Sequence, residues 1–293
     1  MPKIDPSIVE SVVSAASAAI YRRDFAAFEA FAGAEDVTNP AQFAAWREHL
    51  IKQTTLAHAT VQRMLTSVRM VMREAAARAL ISKAAYADFQ FVRSAQARTM
   101  KGRERPFNKT RLTSEDVRRL CDAPDASTLL GLRDRALLLT MASSGARISE
   151  VVTLAVDHVL ANGQGRGILV NGKTDVEWRR APLSAEAGEA IAAWLAARPV
   201  QSPCVFNAFD GSGARVAVRH ISRTAAWQSV QKYAGQLGLD HVKPHDFRRF
   251  VATSLVRRNP RQAQLALGHK SLQTTYKHYV LDELEDGVVD NLF

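Results

Sequence analysis

Between Arg93 and Arg111 the chain reads RSAQARTMKGRERPFNKTR, a stretch rich in Lys and Arg, interrupted by Gly102 and Pro106, and almost without apolar periodicity. Nothing on it repeats at the spacing of a buried helix or strand face, so it is a poor contributor to any core. This interruption predicts two bodies, residues 1–95 and 112–293, joined by a basic linker over 96–111. With 47% hydrophobic residues over 293 positions, apolar material is ample for a real core.

Residues 9–92 show apolar positions recurring every three or four: Tyr21, Phe25 and Phe28, then Phe43, Trp46 and Leu50, then Val61, Leu65, Val68 and Met72. Strand-like alternation is absent, and a bundle of about four helices is expected. Asn39 followed by Pro40 is a helix start, because Asn caps free N–H groups and Pro is tolerated in the first turn. Arg63, Arg69, Arg73 and Arg78 fall along one long helix, as a solvated face or as phosphate contacts. Lys101, Arg103, Arg105 and Lys109 of the linker, with Arg63, Arg69 and Arg73, are the candidate contacts to a polyanionic backbone such as that of a nucleic acid.

After the linker, Thr113 and Asp116 have capping-box spacing, and LLGLRDRALLLTMASSG predicts an amphipathic helix ending at Gly145. Arg147 opens the next helix. Short β-type runs follow at Gly167 to Val170 and Val176 to Leu183, around Asn171-Gly172-Lys173, with a third strand expected at Cys204 to Phe206. Ser184 caps a helix over 185–197, and Ile221 to Leu237 forms another. The expected fold is mostly α with a small antiparallel β-sheet.

A formal charge of +10 points to a polyanionic partner, either nucleic acid or an anionic membrane surface. No apolar run approaches the roughly 18 residues needed to cross a bilayer. The start, MPKIDPSIVE, lacks a signal-peptide pattern, so a cytoplasmic location is expected. Cys121 and Cys204 stand far apart in apolar surroundings, which suggests buried reduced thiols, with no disulfide framework and no metal site.

Taken singly, the charged residues of the second half have ordinary explanations; Arg147, for one, is spaced to pair with Glu150 one turn on. Their order is more specific. Arg147 stands in SSGARISEVVTL, Lys173 in NGKTDVEWRRAPL, His245 and Arg248 in PHDFRRFVAT, His269 in LALGHKS, and a tyrosine follows in TTYKHYV. Over nearly the whole chain this resembles the tyrosine recombinase family, the phage integrase-like site-specific recombinases.

The resemblance implies a helical core-binding bundle that clamps DNA and a C-terminal α+β catalytic domain. It also implies cleavage and rejoining of DNA strands through a covalent 3′-phosphotyrosine intermediate, in integration, excision or resolution. Arg147 and Arg248 would grip the non-bridging phosphate oxygens, which suits planar guanidinium groups. Lys173 would protonate the leaving oxygen, His245 would assist proton transfer, His269 would hydrogen-bond the phosphate, and Glu150 would orient its neighbours. The phosphotyrosine bond stores the energy of the broken link, so neither cofactor nor metal is expected. The implied partner is double-stranded DNA carrying recombination sites, bound by a homotetramer that assembles from monomers, with accessory DNA-bending proteins in some systems.

The family usually places its nucleophile nine residues after the histidine of LGH, a slot held here by His278. Tyr279 and Tyr276 flank it. Tyr279, one position late, is the expected nucleophile, and Tyr276 the alternative. The misplaced tyrosine also leaves open a different class of function, a catalytically inactive DNA-binding regulator with the same fold.

Overall fold

The three-and-four apolar spacing of the first third forms α1 (Ala15–Ala32), α2 (Pro40–Lys52), α3 (His58–Ala77) and α4 (Lys83–Phe91), preceded by a short 3-10 helix at Pro6–Ser11. The structure, a computed structural model, describes residues 4–34, 36–103, 112–160, 166–171, 178–210, 215–268 and 273. The chain divides into two compact units, Met1–Asn108 and Lys109–Phe293.

In the first unit the helix starts are set by short polar side chains. Asn39 Oδ1 accepts from Ala41 N at 2.9 Å and Ser82 Oγ from Ala85 N at 3.0 Å; these bonds satisfy N–H groups that have no partner inside the helix. The core joins Phe25, Phe28, Phe43, Trp46, Leu65, Met72 and Phe89, with the Phe28 and Phe43 rings edge-on at 5.6 Å. Asp24, only 2% exposed, is compensated by Arg63 and by the Ser67 hydroxyl at 2.8 Å.

The expected linker begins packed on this unit. Ala97–Met100 form a 3-10 turn with Met100 buried, and the Arg103 guanidinium donates to the carbonyls of Leu50, Ile51 and Leu56. Those carbonyls lie at and beyond the end of α2, where helix oxygens lack intrahelical donors. Arg105 and Lys109 lie outside the described residues.

The second unit contains α5 (Ser114–Asp122), α6 (Leu129–Ser144), α7 (Ile148–Val152), α8 (Ala185–Ala197), α9 (Arg223–Gln236), α10 (Pro244–Arg258) and α11 (Pro260–Leu267). Both arms of the capping box at α5 are made: Asp116 N donates to Thr113 Oγ1 at 3.0 Å, and Thr113 N to Asp116 Oδ2 at 3.0 Å. The amphipathic character expected of α6 is not what forms. Arg133, Asp134, Ala136 to Met141 and Ser144 are all buried, because α5, α8, α9 and α10 pack around the helix. Its charged pair is tolerated inside because Asp134 accepts from Arg133 at 2.6 Å, from the Tyr233 hydroxyl at 3.0 Å and from Ser229 at 3.2 Å.

Three antiparallel strands, β1 (Val159–Leu160), β2 (Gly167–Val170) and β3 (Arg179–Pro182), pair in chain order, with Val170 opposite Arg179. The third strand expected at Cys204 to Phe206 is corrected. Among the described residues, strand β4 (Asn207–Phe209) pairs with β5 (Val216–His220) alone, in a separate ribbon. Residues 204–206 make no strand but a single antiparallel bridge, Cys204 opposite Ala155, with Val205 N donating to Leu154 O at 2.8 Å; the Trp194 indole donates to Val205 O at 2.7 Å, and Ile221 N donates to Phe206 O at 2.8 Å. Their apolar run fills the core from a buried connection instead of a ladder. Cys121 is buried, whereas Cys204 is partly exposed. Among the described residues no helix is long and apolar enough to cross a membrane.

Candidate functional site

Gly145 ends α6 in the left-handed conformation at φ +59°. This turn places Arg147 immediately ahead of α7, and a Cβ on Gly145 would stand 2.9 Å from Leu267 Cδ2. The close approach is open only to glycine, and it lets the end of α11 pack directly on the turn. Glu150, three residues into α7, turns both carboxylate oxygens back toward Arg147. Oε2 accepts from the Arg147 backbone N–H at 2.7 Å and Oε1 from its guanidinium at 2.8 Å. The Glu150 side chain is 2% exposed while that of Arg147 is 38% exposed, so the acid is buried support for a cation that reaches solvent.

Arg248 comes from α10 and is 1% exposed. Its Nη1 donates to Gly145 O at 2.7 Å and its Nη2 to Leu267 O at 2.7 Å. One guanidinium thus ties α10 to the end of α6 and the end of α11, using the planar fork that lysine lacks. His245, one turn earlier, is an exposed residue taken whole, but its imidazole lies close enough to the chain and its arginines to be desolvated. Crowding by the surrounding chain, followed by the charges of Arg249, Arg248 and Arg147, pushes its pKa down to about 4. Asp246 beside it is 2% exposed and is raised by burial, although its carboxylate accepts from Lys243 N at 2.8 Å and from Arg249 at 2.7 Å.

The low pKa of His245 has a measurable consequence. The folded state resists protonating the ring, so stability contributed by the neutral form is present above the unfolded pKa of 6.5 and declines as pH falls toward about 4. Denaturant titrations should show the wild type losing stability relative to His245→Gln across that window, with the imidazole proton resonances titrating near its lower edge. A ring titrating at or above the ordinary value would contradict this electrostatic reading.

Sequence reasoning passed over Arg179, the first residue of β3. Its Nη2 donates to Glu150 Oε2 at 2.6 Å and its Nη1 to Ala266 O at 2.6 Å. Arg249 and Asp246 were passed over as well. An acidic residue three places into a helix that starts with proline is the signal that could have flagged Asp246, whereas nothing local marks Arg179. Together Arg147, Arg179, Arg248 and Arg249 outnumber the buried acids Glu150 and Asp246. A tetrahedral or five-coordinate oxyanion is the chemistry such a local excess of guanidinium favours.

The structure therefore brings Arg147, Glu150, His245 and Arg248 into one neighbourhood. Lys173, His269, Tyr276 and Tyr279 lie outside the described residues. The four arginines of α3 and its end have partners within the first unit. Arg63 pairs with Asp24. Arg69 donates to Val92 O at 2.6 Å and lies over the Phe43 ring. Arg73 pairs with Glu74 at 3.2 Å, and Arg78 donates to Ile8 O at 2.9 Å. Lys101 is exposed.

Residues 110–284 match the sequence profile of the phage integrase family. The chain is 37% identical over 180 residues to "Tyrosine recombinase XerD" of Neisseria meningitidis serogroup B, a match covering 58% of this chain and 58% of that protein. It is 29% identical over 273 residues to the protein of the same name from Lacticaseibacillus casei, covering 88% of this chain and 86% of that one. The matches to the first curated relatives thus span a little under three fifths of their length. A lambda integrase dimer bound to a COC′ core site has the same fold, with a TM-score of 0.68 at 16% identity and 96% of each chain covered. With more than half of its length matched, from just before α5 to beyond α11, this chain belongs to the phage integrase family.

Proposed function

We propose that this chain is a site-specific DNA recombinase that cleaves and rejoins strands through a covalent 3′-phosphotyrosine intermediate. The observation that supports it most is the convergence of Arg147, held by buried Glu150, with Arg248 and His245 of α10, whose imidazole feels the charge of both arginines. Residues 1–95 act as a DNA clamp, 96–111 as a basic connection and 112–293 as the catalytic domain. Arg63, Arg69, Arg73, Lys101, Arg103, Arg105 and Lys109 contribute positive charge along the backbone of the duplex.

The chemistry follows from charge. The Tyr279 hydroxyl attacks phosphorus, a bond forms between its oxygen and the 3′-phosphate, and the bond to the 5′-oxygen breaks. Arg147 and Arg248 stabilise charge that grows on the non-bridging oxygens, an effect largest in a site that is already arranged before the reaction. His245, neutral at physiological pH, can accept the tyrosine proton, and Lys173 supplies one to the leaving oxygen. His269 hydrogen-bonds the phosphate. Attack of a free 5′-hydroxyl on the phosphotyrosine reverses the step without ATP or metal.

The partner is double-stranded DNA in the cytoplasm, bound by a homotetramer assembled from monomers on two duplexes, with DNA-bending proteins attending where site geometry requires them. The test starts with duplexes selected by binding from a random-sequence pool and rebuilt with a nick beside the cleavage position. Wild-type protein should trap itself covalently on such DNA. Tight, sequence-selective binding with no adduct under any condition would sink the recombinase reading and leave a DNA-binding regulator.

A further inference from the structure

The last carbonyls of α11 accept from two arginines that come from different parts of the chain. Leu267 O takes Arg248 from α10, and Ala266 O takes Arg179 from β3, at 2.7 and 2.6 Å. Helix C-terminal carbonyls have no intrahelical donors and carry partial negative charge, so cations are favoured there. Arg179 does more than cap. Its other terminal nitrogen holds Glu150 Oε2 at 2.6 Å, the same oxygen that accepts the Arg147 backbone N–H at 2.7 Å. Its stem lies against Gly268, where a Cβ would fall 2.4 Å from Arg179 Cδ. Gly268, at φ +65°, is the residue immediately before His269.

We propose that Arg179 is a positioning residue that locks two parts of the reaction centre to each other: Arg147, through Glu150, and the chain leading into His269, through the end of α11. The inference rests on the recombinase reading. Arg179 itself touches no reacting atom in this scheme. Its side chain is 12% exposed, and its fork joins a carboxylate and a carbonyl that no shorter or single-point cation could hold together. Without it, Glu150 is free to rotate toward Arg147 alone, and the end of α11 loses one of its two arginine anchors. Misplacements on the order of an ångström at a reaction centre cost about a hundredfold in rate.

The experiment uses the full chain on the nicked duplex described above and reads single-turnover cleavage, DNA affinity and thermal melting for Arg179→Ala, Arg179→Lys, Glu150→Gln and the Arg179→Ala/Glu150→Gln double variant. Arg179→Ala should cleave about a hundredfold more slowly while its DNA affinity changes far less. Arg179→Lys, which keeps the charge but not the fork, should resemble the alanine variant more than wild type. The double variant should lose less than the product of the two single losses, because both changes break the Arg179–Glu150 bond. If Arg179→Ala does not fold, the lysine variant gives the same comparison.

Wild-type cleavage by both Arg179 variants would overturn the proposal, as would losses of cleavage and affinity in step with melting, or single effects that multiply in the double variant. A wild type that forms no adduct overturns the recombinase reading and this inference with it. An active wild type beside an unaffected Arg179→Ala overturns this inference alone.

Discussion

Tyr279→Phe is expected to abolish the covalent adduct on nicked DNA while leaving DNA binding intact, and Tyr276→Phe is expected to form the adduct at close to the wild-type rate. The substitution removes only the hydroxyl, so packing of the ring is preserved and the lost oxygen is isolated as the cause. The two tyrosines are three residues apart, so a reaction centre arranged closely around one hydroxyl is not arranged for the other. Tyr279 is one place beyond the family slot held by His278, a displacement that a small adjustment of the chain ahead of it absorbs, whereas Tyr276 requires two places in the opposite sense. Denaturing gels of end-labelled DNA decide the matter. An adduct retained in Tyr279→Phe and lost in Tyr276→Phe would reverse the assignment.

Arg248→Ala should combine a catalytic loss with a structural one, and Arg248→Lys should separate them. Both terminal nitrogens of Arg248 donate to backbone carbonyls, those of Gly145 and Leu267. The side chain is among the largest that are fully buried. Truncation to alanine withdraws a donor from each of two buried carbonyls, at about 1–3 kcal/mol apiece, and opens a cavity besides. In the proposed mechanism it also removes a stabilising charge beside the phosphate, a change that at comparable oxyanion sites costs about 10²–10³ in rate. Lysine restores one positive charge but cannot bridge the two carbonyls. Cleavage measured below the melting temperature of each variant should fall by the catalytic factor in both, with melting lowered most in the alanine variant. Cleavage within severalfold of wild type in a folded Arg248→Ala would exclude a role at the reacting phosphate.

The helices of both units were legible because their signals are local. Asn39, Thr113 and Ser184 sit where caps are needed, and their side chains bond N–H groups two or three residues away. The turn at Gly145 was equally legible, since glycine tolerates positive φ without cost. Strands were harder. Val205 and Phe206 look like a strand because both are apolar, but a buried connection needs the same residues. The partner ribbon at Val216–His220 begins with one buried residue and ends with exposed ones, leaving little pattern to read.

The site divides along the same line. Order and motif singled out Arg147, Glu150, His245 and Arg248, because side-chain chemistry is written in residue identity. The sequence by itself therefore determined the helical bundle, its caps and the functional groups available for phosphate chemistry. Only the tertiary structure decided that α6 is enclosed on most sides, that Arg179 reaches Glu150 across 29 residues and Ala266 across 87, and that Arg248 bonds Gly145 across 103. The reason is physical: the acceptors at Gly145, Ala266 and Leu267 are backbone carbonyls, which every residue type has alike. No letter in the sequence marks which of them an arginine will meet until the fold brings them together.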